Sequence, residues 1–194
     1  LSVDLRRKVA LFCNVEPDAV IESSEVPSIY EVPLKMQEQK LDEIVLRKTG
    51  MEIGPRPELK PWREFLAHMQ NAKDTVRIGL VGKYVELQDA YKSINEALFQ
   101  AATYNNRKLD LQYIHSEKLT ESNVEEKLSS MDGLIIAPGF GQRGIEGKFV
   151  ALKYAREHDV PTFGICLGMH CMVIEYARDV LGYKDANSTE MEIG

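Results

Sequence analysis

The sequence predicts an α/β fold built on a doubly wound, mostly parallel sheet, and two observations support this prediction. From Thr75 onward, strand patterns alternate with helical patterns, and the strands are continuously apolar, as expected of parallel strands buried on both faces. A cysteine flanked by glycines, Gly164-Ile165-Cys166-Leu167-Gly168, also stands where an apolar strand passes into a helix. Since ligands bind at the carboxyl ends of strands in such sheets, this cysteine falls where a functional site is expected.

The residues before Thr75 differ in character and predict an appendage to the main sheet. Residues 8–14 predict a short strand. Pro33 then opens an amphipathic helix that ends at Gly50, which stands at a C-cap position. One face of this helix carries the apolar side chains of Leu34, Leu41, Ile44 and Val45.

A proline-rich connector separates this appendage from the sheet region. Residues 51–61 contain three prolines in eleven residues, which excludes a long helix or a central strand. A short amphipathic helix follows, and we expect its apolar stripe to be core rather than a ligand-binding surface. The stripe consists of Trp62, Phe65, Leu66 and Met69.

The elements of the predicted sheet follow in regular order. Strands are predicted at residues 75–82, 109–113, 133–137 and 160–163, and helices at residues 90–104, 121–128, 148–158 and from 167 until Gly182. The third strand leads into the loop Pro138-Gly139-Phe140-Gly141, and the fourth leads into Cys166. Because both lie at the carboxyl ends of their strands, we expect them to face each other across one pocket.

Composition excludes several classes of protein. The 194 residues are 44% hydrophobic and 28% charged, which suffices for one full core and part of a second. The sequence has no apolar run of membrane-spanning length and no signal-peptide pattern behind its charged N-terminus, so we expect a soluble chain. The net charge of −6 argues against a surface that coats nucleic acid.

The cysteines indicate a reducing, cytoplasmic location. They are Cys13, Cys166 and Cys171, an odd number without zinc-ligand spacing, so we predict neither a disulfide framework nor a metal site within this chain. Leu1 is not an initiator methionine. We therefore expect a chain that was processed, cut from a longer one or represented only in part.

Cys166 is the strongest candidate for a catalytic residue. The glycines on either side carry no Cβ, which leaves room for a strained backbone that projects the sulfur into solvent. The amides of Leu167 and Gly168 open the next helix and can donate toward a developing oxyanion, while the helix dipole favours the thiolate. The alternative is a small buried core residue, the commoner fate of a free cysteine. The glycine spacing favours the nucleophile.

Stretches spread over almost the whole chain resemble the class I, or triad, glutamine amidotransferases, in the branch that aminates UTP to CTP. Besides the cysteine turn with Met169, they are residues 11–15, 28–33, 81–84, 89–93, 138–144 and 187–190, in the family's order. The resemblance implies that residues 1–50 are the C-terminal part of a second α/β domain, an amidoligase or synthetase. It implies an interdomain linker with a short helix at 51–74 and a glutamine amidotransferase domain, incomplete at its C-terminus, at 75–194.

The resemblance also implies roles for individual residues. Cys166 would attack the side-chain amide of glutamine, form a thioester and release ammonia, with the amides of Gly139 and Leu167 as oxyanion donors. The glutamine site would comprise Gly139, Leu167, Gly168, Met169, His170 and Glu190, the last of which would hold the α-amino group. Two positions depart from the family: Pro138 replaces a glycine and so removes a backbone amide, and His170 replaces a glutamine.

For the N-terminal part, the resemblance assigns Lys8 to the pyrimidine nucleotide, UTP or CTP. It assigns Ser24, Glu25 and Val26 to the border of the ATP site. ATP and Mg²⁺ would be bound mainly by residues outside this chain, since Gly79-Leu80-Val81-Gly82-Lys83 lacks the spacing of a phosphate loop. The resemblance further implies GTP as an allosteric activator, CTP as a feedback inhibitor, and a homotetramer able to form filaments. We expect no nucleic-acid or membrane partner.

The family's triad histidine and glutamate follow downstream of Glu190, and this chain stops at Gly194. We therefore expect these residues alone to be inactive on glutamine. Two other functions remain open from the sequence: a free-standing cysteine amidase or peptidase of the same fold, and a non-catalytic module that binds a partner. Labelling of Cys166 by a glutamine-like chloroketone would separate the second alternative from the other two hypotheses.

Overall fold

The structure is a computed structural model that describes residues 1–191, apart from the side chain of Gln88. The chain divides into two compact units, Leu1–Gln70 and the residues from Asn71 onward. Among the described residues, no helix combines the length and the apolar character that crossing a membrane requires.

The first unit begins with helix α1 (Val3–Cys13), so the predicted strand at residues 8–14 is wrong. The ends of the segment explain the difference. The Ser2 side chain accepts a hydrogen bond from the amide of Leu5 at 3.3 Å and caps the first turn. Asn14 adopts a left-handed conformation, with φ 51°, that ends the helix. The caps at both ends therefore favour a helix over the strand that the short apolar alternation had suggested.

The predicted helix from Pro33 to Gly50 exists as two helices, α2 (Val32–Glu38) and α3 (Leu41–Thr49). Between them, the Gln39 side chain pairs with both backbone groups of Glu22, donating to its carbonyl and accepting from its amide, each at 2.7 Å. Lys40 has a φ of 59°, which breaks the helix. Gly50 ends α3 with a φ of 69°, and its predicted C-cap role is confirmed.

Helix α4 (Lys60–Asn71) confirms the short helix predicted after the proline-rich segment. Its aromatic side chains pack around Tyr30, with ring centroids 6.0 Å apart for Trp62 and 5.3 Å apart for Phe65. The Trp62 indole also donates to the Tyr30 carbonyl at 2.8 Å. These contacts confirm that the stripe is core.

The second unit contains a four-stranded, fully parallel sheet, which confirms the predicted fold class. Its strands are β1 (Asp74–Gly82), β2 (Arg107–His115), β3 (Gly133–Ile136) and β4 (Thr162–Gly164), in the spatial order β2-β1-β3-β4. Its helices are α5 (Lys92–Tyr104), α6 (Val124–Leu128), α7 (Ile145–Glu157) and α8 (Leu167–Asp179). The strand order reverses between β1 and β3, which places the topological switch point there.

The sheet is buried on both faces, as a doubly wound fold requires. One face, with Leu80 and Ile135, packs in a cluster against α5. The opposite face, with Val81 and Ile136, belongs to a larger cluster that includes apolar residues of α6, α7 and α8. Because successive side chains of a strand point to opposite faces, β1 and β3 supply both cores, and this explains their continuously apolar sequences.

Candidate active site

Cys166 lies in the turn between β4 and α8, and its side chain is exposed. Its backbone has φ 53° and ψ −115°, a conformation that residues other than glycine rarely adopt. A positive φ at a residue between a parallel strand and a helix is typical of a nucleophile elbow. The structure therefore places the sulfur at the carboxyl edge of the sheet, where the fold presents ligand sites.

The two flanking glycines are needed for close packing, which differs from the reason that the sequence suggested. A Cβ on Gly164 would lie 2.6 Å from the carbonyl carbon of Gly168. A Cβ on Gly168 would lie 2.1 Å from the backbone oxygen of Ile136. Neither glycine has a positive φ, so Cys166 itself carries the unusual conformation. The glycines let α8 start directly against β3 and β4.

Two backbone amides near Cys166 are available for an oxyanion. The predicted donation by Gly168 is wrong, because its amide already donates to the carbonyl of Ile165 at 2.8 Å. Within residues 1–191, the amides of Leu167 and Gly139 have no hydrogen-bond acceptor. A Cβ on Gly139 would lie 3.8 Å from a methyl group of Leu167, so the two residues are neighbours. The structure thus brings together the two donors that the resemblance implied.

Two lysines support the loop that carries Gly139. Lys148 of α7 is only 1% exposed, and its Nζ donates to the carbonyl of Ala137 at 2.7 Å. Lys83, directly after β1, is 7% exposed and donates to the carbonyl of Phe140. Burial lowers the pKa of Lys148 and the charge of the nearby Lys83 adds to this effect, while Cys171 and Cys166 partly offset it. Lys148 was not predicted from the sequence, although it lies among apolar residues on the inner face of its helix, and Lys83 was considered only within a rejected phosphate loop.

Cys171 contrasts with Cys166. It is fully buried in the larger core cluster, and burial raises its pKa to about 11. At neutral pH this thiol stays protonated and behaves as a small apolar side chain. Cys13, the third cysteine, is exposed at the end of α1 in the first unit.

The segment around Glu190 lies beside α8, which brings together several of the predicted glutamine-binding residues. His170 is half-buried, and its Nδ1 lies 2.9 Å from the Oγ of Ser188. The Ser188 hydroxyl also accepts from the amide of Glu190 at 3.3 Å. Met191 is buried in the core cluster and anchors the end of the segment. Glu190 itself is exposed.

A cavity of about 430 Å³ lies between α8 and this segment. It is lined by Met169, His170, Val173, Ile174, Asn187, Ser188 and Thr189. Met169 and His170 are therefore accessible from the cavity, whereas Leu167 and Gly168 are buried beneath the turn. Buried residues of this kind contribute backbone groups rather than side chains to a site.

The residues assigned to nucleotides all lie in the first unit. Lys8 is an exposed residue of α1. Ser24 and Glu25 are exposed, Val26 is half-buried, and the three form part of a segment without regular secondary structure. Their roles stay predictions. Among the described residues, no group of three or more histidine, cysteine, aspartate or glutamate side chains is arranged to hold a metal ion.

Two family models match the chain. The model described as glutamine amidotransferase class-I matches residues 86–193, and the model described as CTP synthase N-terminus matches residues 1–51. The first match covers more than half of the chain and contains Cys166, Gly139 and Glu190. The second covers α1 to α3, which carry the predicted nucleotide-binding residues.

Similar proteins cover almost the whole chain. A CTP synthase of Porphyromonas gingivalis is 66% identical over 99% of this chain and 36% of its own length. A CTP synthase of Bacteroides fragilis is 63% identical over the same shares, and one of Levilactobacillus brevis is 54% identical over 97% of this chain and 35% of its own. The chain thus spans about a third of the length of the curated relatives it matches.

A solved structure gives a further comparison. The glutaminase domain of Trypanosoma brucei CTPS, with bound acivicin, matches with a TM-score of 0.57 and 38% sequence identity. The match covers 61% of this chain and 46% of the other. The similarity therefore extends to the fold as well as to the sequence.

Proposed function

Because the chain belongs to the class I glutamine amidotransferases, we propose that it is the glutamine-hydrolysing part of a CTP synthase. In this proposal it releases ammonia for the ATP-dependent amination of UTP to CTP. The observation that carries the proposal is the exposed Cys166, held with a positive φ beside two backbone amides that have no acceptor among the described residues. The match of residues 1–51 to a CTP synthase N-terminus supports this function over a free-standing amidase.

The Cys166 thiolate attacks the side-chain amide carbon of glutamine and forms a carbon–sulfur bond. The carbon–nitrogen bond then breaks, the nitrogen leaves as ammonia after gaining a proton, and a glutamyl thioester remains. Water hydrolyses the thioester to glutamate and the free thiol. The histidine that the resemblance implies downstream of Glu190 would transfer these protons.

The amides of Gly139 and Leu167 stabilise the negative oxygen of the tetrahedral intermediate. Both are backbone groups held by the fold, so they need no reorganisation when the charge develops. Loss of one such donor lowers the rate by about 10²- to 10³-fold in other acyl-transfer enzymes. The position of Leu167 at the start of α8 adds the favourable end of a helix dipole.

Glutamine binds along the start of α8 and the segment after Asn187. The Glu190 carboxylate holds the α-ammonium group, and His170, tied to Ser188, sets the position of that segment. Met169 lines the cavity beside them. In this proposal the side-chain amide of the substrate extends from these residues toward Cys166.

In the first unit, Lys8 contacts the pyrimidine nucleotide and Ser24, Glu25 and Val26 border the ATP site. As the family resemblance implies, ATP and its Mg²⁺ would be bound mainly by residues outside this chain. ATP would supply the phosphoryl group that activates UTP. Activation by GTP, feedback inhibition by CTP, a homotetramer with filaments and a cytoplasmic location belong to the same proposal by family membership.

The test uses a glutamine-like chloroketone on the intact protein, with peptide mass spectrometry as the readout. We expect labelling of Cys166, protection by glutamine, and no labelling of Cys13, which is exposed but distant in sequence from the site. Cys13→Ala is the matched control and should label normally. Equal labelling of both exposed cysteines, or no protection by glutamine, would contradict the proposal.

The synthase function has its own test. We expect Cys166→Ala to abolish CTP formation from glutamine but to leave CTP formation from added ammonium salts intact, because the cysteine acts only in ammonia release. If a folded Cys166→Ala variant formed CTP neither from glutamine nor from ammonium salts, the proposal that Cys166 acts only in ammonia release would be contradicted. We also expect the 194 residues by themselves to release no ammonia from glutamine, and appreciable release would refute that expectation.

A further inference from the structure

The loop that carries Gly139 is held at both of its ends by buried side chains. At its start, Ala137 donates its amide to the carbonyl of Val81 at 2.9 Å and accepts a hydrogen bond from Lys148 at 2.7 Å. Ala137 is therefore fixed on both sides of its Cα. At the other end, the Phe140 carbonyl accepts from Lys83. The two peptides that include Gly139 lie between these fixed points.

Pro138 restricts the loop further. Its ring locks φ near −65°, so with the Ala137 carbonyl fixed, a single backbone torsion, the ψ of Pro138, sets the direction of the Gly139 amide. A Cβ on Gly139 would lie 3.5 Å from Cε of Lys83, so the lysine stem packs directly against the residue. The orientation of this amide thus depends on Lys148, Pro138 and Lys83.

We propose that Lys148 and Lys83 are positioning residues that hold the Ala137–Phe140 loop so that the Gly139 amide points at the developing oxyanion. The inference rests on the proposed function for its catalytic consequence. It concerns residues that do not touch the substrate and act through the loop. Here the loop has proline where a second glycine is usual, so fewer backbone amides remain and the position of the one at Gly139 matters more.

The burial of Lys148 supports a specific role. An ammonium group that is 1% exposed loses most of its hydration, and this loss opposes folding unless a hydrogen bond offsets it. Burial accordingly lowers the pKa of Lys148. If the residue only filled space, methionine would have a similar length and volume without a buried charge. Lys148→Met therefore separates packing from the hydrogen bond to Ala137.

The experiment compares Lys148→Met with wild type in the full-length synthase, because the 194 residues by themselves are expected to release no ammonia. We expect kcat for ammonia release to fall at least tenfold with KM for glutamine within twofold, because the loop stabilises the transition state. We expect the rate of Cys166 alkylation by iodoacetamide to fall by a smaller factor than kcat, since this reaction uses no oxyanion donor and depends on Lys148 only through its charge. Lys153→Met, on the exposed side of the same helix, is the matched control and should change none of these quantities.

A crystal structure of Lys148→Met provides a readout that is independent of activity. We expect the Pro138–Gly139 peptide to shift or to lose order, because the buried Ala137 carbonyl then lacks a donor. An unchanged loop, or an unchanged kcat, overturns the inference. If wild type releases no ammonia, the proposed function fails, whereas loop displacement still tests the clamp. If Lys148→Met does not fold, Lys83→Met tests the other end with the same measurements and the same outcomes.

Discussion

The two cysteines at α8 lie five positions apart and have opposite surroundings. Cys166 is exposed at the turn, whereas Cys171 is enclosed by apolar side chains and by the buried Lys148. A chemical probe at neutral pH should distinguish them without any substitution. The difference arises from position in the fold, because Cys166 lies in the turn before α8 and Cys171 lies on the buried face of that helix.

The raised pKa of Cys171 predicts a pH dependence of stability. Its ordinary value is 9.0 and its value in the folded protein is about 11, so between these pH values the unfolded chain loses the proton first. The contribution to the free energy of unfolding is therefore intact below pH 9 and falls by up to about 2 kcal/mol as the pH rises to 11. Chemical denaturation at several pH values measures it.

Cys171→Ala is the control for this prediction, because it removes the titrating group while leaving Lys148 in place. We expect the difference in stability between wild type and the variant to shrink as the pH rises from 9 to 11. A difference that stays constant over this range would show that Cys171 does not titrate there.

At the scale of elements, α7 and α8 are joined by an ion pair. The Arg156 guanidinium donates to the Glu175 carboxylate at 2.7 Å from Nη2 and at 3.1 Å from Nε, and Glu175 is 5% exposed. Together with a third hydrogen bond from Nε to the second carboxylate oxygen, these contacts hold α8 against α7, the helix that contains Lys148. The pair therefore supports the site indirectly.

Arg156→Met should lower the free energy of unfolding by about 2 to 4 kcal/mol, because it leaves a buried carboxylate without its partner. The double variant Arg156→Met, Glu175→Met should recover much of the loss, since no buried charge remains. Lys153→Met breaks only the exposed pair with Glu121 and should cost less than about 1 kcal/mol. Equal losses for the single and double Arg156 variants would contradict this account.

At the scale of the whole molecule, the first compact unit, Leu1–Gln70, contains a long exposed segment. Residues 51–58 are all exposed and have no regular secondary structure. Limited digestion with a glutamate-specific protease should therefore cut first after Glu52 or Glu58. Trypsin should leave this segment intact, because Arg56 and Lys60 each precede a proline. Mass spectrometry of early products identifies the cuts, and a first cut inside the sheet unit would contradict the prediction.

The sheet unit could be predicted from sequence because its strands have local, unmixed signals. The inner strands β1 and β3 end in continuous, buried apolar runs, and each is followed by a helix with its own apolar stripe, so no long-range contact is needed to identify them. The cysteine turn could be recognised for the same reason. Its two glycines stand where the backbones of β4 and α8 approach closely, and this spacing is visible in the local sequence.

The features that sequence analysis missed depend on contacts between distant residues. Helix α2 ends because Gln39 bonds to the backbone of Glu22, and no local signal at Gln39 predicts this. Lys83 directly after β1, the loop after β3 and Lys148 of α7 come together only in the folded chain. Helix α1 is the exception, because its signal is local: Ser2 and Asn14 are ordinary capping residues at the two ends of the segment, and they indicate a helix where the apolar pattern indicated a strand.

The unfavourable backbone conformation of Cys166 lowers the stability of the folded protein. Glycine would adopt that conformation without strain and would raise the free energy of unfolding, but it would lack the sulfur. The fold is therefore less stable at the one position that carries the proposed nucleophile. Stability and the proposed turnover therefore favour different residues at position 166.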